Sequence, residues 1–586
     1  MIVTISLLLT VALLLLYLES RKPKGYPPGP KWWPIVGCAI EVARIRQRTK
    51  YLFKTCSVLT EKYGPIVGLK IGNDRIVILN DYDSVYAMLT NPDCDGRPTG
   101  PMYTVRTWGK RRGLILVDGR LWIEQRRFVL RHLREFGFGR NSMATIIKEE
   151  ASKLVEHFEK LILKAHNDDT DEHGNTDETS NFCNNNNIHI NNNGSVYESQ
   201  NIIDENEKKI PLHKIDNEHC INKEVNKEKI VSDKLNVEDT YVKVNEYKSM
   251  KKTLVSKQMI VSMDDAFGIT VLNTLWKMMA GKRFNTDDKT LMHLQKILTK
   301  LFKEIDMIGA LFSHFPLLRF IAPTLSGYQS FLEIHQQLWS FLNNELQSHK
   351  NTFNPNAPRD LMDVYLSVLK SKDCSDTFSE SQLLAVCLDL FIAGSETTSK
   401  TLSFCFLYLI LFPDVQKKAQ EEIDRVIGNK RLPTLADRSR LTYLNAIVLE
   451  SLRIFTGRSL NVPHRALKDI YIMNYRIPKD TLITVNFNGL LMDKSWGDPE
   501  EFRPERFIDE SGRISVQDKY LPFSIGRHRC MGETLARSNL FVVTSTLLQK
   551  FTFSVVPGEQ KPSTRDFVDG VTTGPKPFRV LVTLRT

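Results

Sequence analysis

Cysteine is scarce in this chain, nine among 586 residues. No two form a CxxC pair and none has the Cys/His spacing of a zinc site, which argues against a disulfide-stapled scaffold and a structural zinc module. That usage fits a reducing compartment and leaves room for one thiol with a special task. A basic stripe is also missing. The net charge is +11, but the lysines and arginines are scattered, so an acidic protein or an anionic membrane suits them better than nucleic acid. No internal repeat is visible. The length allows a substantial core, organised as one large catalytic unit with accessory segments or as two domains.

Charge is absent from residues 2–18 (IVTISLLLTVALLLLYL), which are followed by Arg21, Lys22 and Lys24. The run sits at the short end of the roughly 17–25 residues that span a bilayer, which suits a thin membrane such as the endoplasmic reticulum. Its basic flank predicts an N-terminus outside and a following domain in the cytosol. A cleaved secretory signal is the competing reading, but it lacks a basic leading region and a small-residue cleavage site, and its charges lie on the wrong side. Residues 1–20 are therefore read as a signal-anchor transmembrane helix. Residues 21–35, with Tyr26-Pro27-Pro28-Gly29-Pro30, form a basic, proline-rich hinge. Residues 36–586 read as one catalytic domain interrupted at 165–257, where NFCNNNNIHINNN and mixed-charge runs offer too few apolar residues to offset ordering entropy. A disordered insertion is expected there.

Residues 66–79 alternate as two short strands around a turn at Gly72-Asn73-Asp74. Downstream of 258 the pattern is mostly helical. The longest run, 383–412, is apolar and ends at Pro413, about 45 Å at ~1.5 Å per residue. Asp389, Glu396 and Lys400 interrupt it, so it reads as a helix crossing a large core rather than a membrane. Asp414 is expected to cap the next helix, reaching 427, and a further helix covers 435–455. Short strand-like runs follow from 471. The fold class is mainly α with small β-sheets.

The stretch Phe523-Ser524-Ile525-Gly526-Arg527-His528-Arg529-Cys530-Met531-Gly532 carries the most chemical information. A cysteine at the end of a glycine-containing turn, after three basic side chains and before a helix over 533–550, stands where a thiolate would be stabilised. A buried structural cysteine is the plain alternative. The stretch resembles the haem-binding signature Phe-x-x-Gly-x-Arg-x-Cys-x-Gly of the cytochrome P450 family. That resemblance implies Cys530 as the axial thiolate ligand of a haem b iron, with Phe523 against the cofactor. His528 replaces the usual arginine, so its contact to a haem propionate becomes weaker or pH-dependent.

Further motifs follow the family's order. Glu450-x-x-Arg453 alone would be an ordinary surface pair on a helix. With Phe502-Arg503-Pro504-Glu505-Arg506-Phe507 downstream, it resembles the buried network of Glu450, Arg453 and Arg506 behind the haem. Trp122-x-x-x-Arg126 and His464 of Pro463-His464-Arg465 resemble residues that reach the propionates. Ala393-Gly394-Ser395-Glu396-Thr397-Thr398 resembles the oxygen-activation motif, in which Gly394 admits a ligand to the helix and Glu396 with Thr397 passes protons inward. An acid-hydroxyl pair on a solvated helix face would mean little; this one lies in an apolar helix.

What the resemblance implies is a microsomal-type animal enzyme, including insect members, inserting one oxygen atom of O2 into a lipophilic substrate. Electrons would come from NADPH through an acidic flavoprotein, NADPH-cytochrome P450 reductase, with cytochrome b5 as a further candidate partner. Arg127, Arg131, Arg134, Arg527 and Arg529 are candidates for that docking face. The protein would sit in the endoplasmic reticulum membrane by a single pass, facing the cytosol, with membrane lipid as a partner. Apolar stretches at 97–110, 308–323, 388–393, 460–462 and 571–573 are the expected specificity elements, favouring a steroid, terpenoid or other endogenous lipid. Two rival readings are a haem-thiolate isomerase or dehydratase, and a non-catalytic haem sensor. Glu396 and Thr397 argue against both.

Overall fold

The computed structural model describes residues 2–172, 258–263, 266–285 and 288–585. The apolar N-terminal run forms helix α1 (Ile2–Glu19), with no charge before its last residue. At ~1.5 Å per residue, its 18 residues span about 27 Å, under the roughly 30 Å of a typical hydrocarbon core. Among the described residues no helix is long and apolar enough to cross a membrane. The leucines of α1 nonetheless find no core: Leu7, Leu8 and Leu13 are 64–66% exposed.

Helices α2 (Ala39–Thr49) and α3 (Leu52–Tyr63) lead into strands β1 (Ile66–Ile71) and β2 (Asp74–Leu79). These pair antiparallel, with Ile66 opposite Leu79 and Ile71 opposite Asp74. Gly72, at φ +54°, makes the turn, and a Cβ there would lie 2.2 Å from the His314 carbonyl oxygen. Helix α4 (Tyr82–Thr90) follows, then α5 (Gly119–Glu135) and α6 (Asn141–Glu172). Residues 1–165 and 256–586 form one unit and 166–255 another. The insertion expected at 165–257 falls, past the end of α6, outside the described residues.

Beyond it come strand β3 (Gln258–Ser262) and helices α7 (Gly268–Ala280), α8 (Lys289–Glu304), α9 (Tyr328–Thr352) and α10 (Leu361–Leu369). The long apolar run is helix α11 (Glu380–Leu411). It starts earlier than its hydropathy suggests because the Ser379 side chain caps it, accepting from the Gln382 N–H at 3.1 Å. Helices α7, α9, α12 (Pro413–Val426), α13 (Thr442–Thr456) and α14 (Glu533–Lys550) pack around it. That explains an apolar surface on every side of α11 without a membrane. Asp414 is not the cap of α12. Phe412 holds the cap position, Pro413 opens the helix, and Asp414 lies in its first turn, where its charge meets the positive end of the helix dipole. The helix expected at 435–455 splits: a short turn at Leu435–Asp437 precedes α13.

Strands β4 (His464–Arg465), β5 (Ile470–Ile472), β6 (Tyr475–Ile477) and β7 (Leu482–Val485) complete the sheet work before α14. The main sheet runs β1-β2-β7-β4, β7 parallel to β2 and antiparallel to β4. After α14, β8 (Phe551–Ser554) and β11 (Arg579–Leu584) join β3, while β9 (Phe567–Val568) and β10 (Gly574–Pro575) pair separately. The molecule is thus mainly helical with small sheets. Helix α11 crosses the core, and the Cys530 loop lies at the start of α14.

Candidate active site

A loop from Phe523 closes when the Cys530 N–H donates to the Phe523 carbonyl at 3.0 Å. Ser524 and Gly526 both take positive φ, +61° and +75°. At Gly526 the backbone leaves no space for a side chain, since a Cβ would meet the Leu89 carbonyl oxygen at 2.0 Å. Gly532 then caps α14, setting Cys530 just ahead of the helix N-terminus.

The basic neighbours of Cys530 do not act as the sequence suggests. Arg527 pairs with Asp95 at 3.0 Å and Arg529 with Glu533 at 2.7 Å. His528 donates from Nε2 to the Asp95 carbonyl at 3.0 Å. Burial and the nearby Arg97 push its pKa down to about 3, so in this setting the ring is neutral. Burial also raises the Cys530 thiol, against the Gly532 backbone and Arg126. A metal cation, more than its basic neighbours, is what would hold this sulfur as a thiolate.

Cys530 opens onto a cavity of about 350 Å³ that also takes in Phe523, His528, Trp122, Arg126, His464, Gly394 and Thr397. Most sequence-predicted site residues therefore converge. Trp122 is buried, its ring 4.2 Å from that of His528 and 5.5 Å from the Arg126 guanidinium carbon. Arg126 donates to the Arg529 carbonyl at 2.6 Å. Strand β4 presents His464, whose Nδ1 donates to the Cys94 carbonyl at 2.8 Å, and burial with Arg97 nearby keeps this ring well below its ordinary pKa.

Arg97 belongs to the same wall, although the sequence marks it only as one end of a specificity loop. Its Nη1 donates to the carbonyls of Val462 and Pro463, each at 2.9 Å, and burial lowers its pKa to about 10. No local motif points to it, because those partners lie over 360 residues away in sequence.

Across the cavity, the Thr397 hydroxyl donates back to the Ala393 carbonyl at 2.8 Å. Gly394 lines the cavity, but its missing Cβ would also lie 2.5 Å from Leu275 Cδ2, so the glycine serves the packing of α7 as well as ligand approach. Asp389, fully buried, pairs with Arg106 and accepts from the backbone N–H groups of Leu114 and Ile115 at 2.5 and 2.8 Å. This ties the 106–115 loop to α11 as a roof.

Glu396 lies elsewhere. It faces a second, smaller cavity on another side of α11, paired with Lys400 at 3.2 Å and accepting from the Thr299 hydroxyl at 3.2 Å. The expected Glu396-Thr397 relay is thus not an adjacent contact, because consecutive helical residues point about 100° apart at ~3.6 residues per turn.

Glu450, Arg453 and Arg506 do form one buried network outside the cavity. Glu450 receives Arg453 at 2.7 and 2.8 Å, and Arg506 and the Arg503 N–H at 3.1 Å. The guanidiniums also satisfy the carbonyls of Leu491, Pro499 and Trp496.

These features fit haem. A sulfur donor suits iron, and the cavity is largely apolar. Arg97 and Arg126 make no ion pair among the described residues, and the one carboxylate among the cavity-lining residues, Asp389, is already paired. Two guanidiniums without an ion pair, in the same cavity wall as the Trp122 indole, match the propionates of a flat apolar macrocycle.

The site is that of a haem-thiolate protein. The chain belongs to the cytochrome P450 family, whose model matches residues 27–206 and 225–582. It is 37% identical over 580 residues to "Probable cytochrome P450 303a1" of Drosophila melanogaster, covering 98% of this chain and 97% of that one. It is 32% identical to the farnesoate epoxidase of Bombyx mori, covering 98% of each chain. Cytochrome P450 2L1 of Panulirus argus is 29% identical, over 97% of this chain and 96% of its own. The protein is a monooxygenase of this family, and the family implies haem with a cysteine thiolate ligand.

Proposed function

We propose that the protein takes electrons from NADPH through a flavoprotein reductase and inserts one oxygen atom of O2 into a terpenoid, steroid or other endogenous lipid. The observation that carries this reading is the largely apolar cavity between Cys530 and the Gly394-Thr397 face of α11. Likeness to a farnesoate epoxidase across nearly the whole chain favours a terpenoid.

In this reading Cys530 ligates the iron, and Arg97, Trp122 and Arg126 hold the propionates, with Phe523, His464 and His528 beside them; His464 spends its Nδ1–H on the Cys94 carbonyl. Bound haem supplies the iron that binds and activates O2. The residues of α11 and the loop tied to it do the rest. Asp389 and Arg106 hold the roof closed over the substrate side, excluding water. Thr397, turned from the Ala393 carbonyl, offers a hydroxyl that holds a proton at the oxygen-binding face.

Two surface features support a membrane location. Leu7, Leu8 and Leu13 of α1 face solvent, and a second apolar patch exposes Leu317, Phe320, Ile321 and Leu325 at 70–84%. Together they suit an anchor in a thin membrane and a lipophilic substrate taken from it. The electron donor docks near the Cys530 loop, with cytochrome b5 as a second candidate.

The test is the reduced, CO-bound absorption spectrum, followed by binding of sterols, ecdysteroids, juvenoids and fatty acids. A thiolate-type red-shifted Soret band, and NADPH-dependent product from one of these lipids, are expected. A folded, haem-loaded protein without that band refutes the reading; product formed without NADPH or O2 favours an isomerase.

A further inference from the structure

Helix α11 separates two cavities. The haem-side cavity takes in Thr397, and the second, of about 110 Å³, is lined by polar groups that include Thr299, Lys303, Ser399 and Glu396. Lys400 lies one turn beyond Glu396 and bridges the two. Its Nζ is 3.2 Å from Glu396 Oε2 and donates to both the carbonyl and the hydroxyl of Thr572, each at 3.1 Å. Thr572 itself lines the haem-side cavity. A continuous chain of polar contacts, Thr299 to Glu396 to Lys400 to Thr572, thus crosses the wall between the cavities.

The chain is held firmly. Val571 donates to the Phe302 carbonyl at 2.8 Å, and Thr573 donates to the Arg458 carbonyl at 2.7 Å, so Thr572 is pinned from both sides. The Lys400 stem packs against Gly574, where a Cβ would come within 3.2 Å of it, and its ammonium lies 5.5 Å from the Phe302 ring centre. A lysine placed inside an apolar helix is costly unless its charge is met. Here it is met by one carboxylate and one threonine. Burial pushes the ammonium below its ordinary pKa, with Glu396 acting against that and Lys303, from α8, acting with it. Glu396, Lys303 and Lys400 are the charged side chains lining this second cavity.

We infer that Lys400 relays protons from the second cavity to the haem cavity through Thr572, so that Glu396 acts through Lys400 and not through its neighbour Thr397. The Thr572 hydroxyl gives its proton to the oxygen-binding side and takes one from the Lys400 ammonium. The Glu396 carboxylate takes a proton from solvent in the second cavity and passes it to the Lys400 amine, which restores the ion pair. No net charge stays in the helix. This inference rests on the monooxygenase reading, because it concerns how the same site receives protons.

The test uses the haem-loaded enzyme with reductase, NADPH and O2, without added lipid, measuring hydrogen peroxide released per NADPH consumed from pH 6 to 9. In Lys400→Met and Thr572→Val that fraction rises severalfold, and Lys400→Arg, which keeps the charge but cannot give up a proton, is impaired as well. The pH midpoint of the ferric absorption spectrum gives an independent reading: loss of the positive charge in Lys400→Met moves it upward. A role confined to packing would leave that midpoint in place. Wild-type partition in Lys400→Met, in Thr572→Val or in Lys400→Arg each overturns the relay. A wild-type protein without the thiolate Soret band would instead refute the functional reading beneath it.

Discussion

Gly526 is the residue at which the Cys530 loop is least tolerant. Its φ of +75° disfavours any residue with a side chain, and the Leu89 carbonyl occupies the position a Cβ would need. Gly526→Ala should therefore push the loop off α4 and displace Cys530. We expect haem content to fall by more than half while far-ultraviolet circular dichroism stays near wild type; full haem content with an unshifted Soret band would contradict this. The signature around Cys530 was legible because its spacing is local. The electrostatics were not: Arg527 and Arg529 read as cations serving the thiolate, but Asp95 and Glu533 engage them. Arg97 and Lys400 were invisible as functional residues, since, apart from Glu396 beside Lys400, the partners that place them come from the distant segments 462–463 and 572.

Among the elements, α13 is held by its buried charge network. Glu450 and Arg453 are completely buried, and Arg506 nearly so. Removing the carboxylate leaves the buried Arg453 without its counter-charge and Arg506 with Asp498 alone, and breaking a buried pair in this way typically costs roughly 3–5 kcal/mol. Glu450→Ala should lower the thermal midpoint sharply and reduce the yield of haem-loaded protein; an unchanged midpoint would show the network to be dispensable. A second buried cluster joins α9 to the start of α10. Burial alone would depress the His349 imidazole, but Asp360 at 3.0 Å and Glu345 at 3.1 Å override it, raising its pKa to about 10. Since the folded value lies above the ordinary 6.5, the stabilisation is full below about pH 6.5 and is lost as pH rises through about 10. The gap in thermal midpoint between wild type and His349→Gln should close across that window. A gap that widened with pH would reverse the sign. Helix cores were readable from hydropathy, whereas helix ends were not. Ser379 extends α11 by a cap, and Pro413 displaces Asp414 from the cap position, both effects of backbone hydrogen bonding that apolar periodicity does not record.

At the scale of the whole molecule, the proposed function requires a membrane surface and an electron-donating partner. The α1 leucines and the Leu317–Leu325 patch are separate in sequence, so deleting residues 2–19 should weaken membrane association without abolishing it, as judged by sedimentation with phospholipid vesicles. Release equal to that of a soluble control would assign all the affinity to α1. Docking of the proposed electron donor is more selective. Arg131, Arg527 and Arg529 already face Glu135, Asp95 and Glu533, so their fields are partly cancelled. Arg127 and Arg134 are exposed and have no ion pair among the described residues. An acidic partner gains most from these two, because unpaired surface charges steer association and are screened within about 8 Å at physiological salt. Arg127→Glu with Arg134→Glu should slow reductase-supported electron transfer at low ionic strength by tenfold or more, with the difference shrinking as salt is added. Arg131→Glu should do less, since it removes a charge already offset by Glu135. Equal effects from the three positions, or rates indifferent to salt, would mean that the donor docks elsewhere.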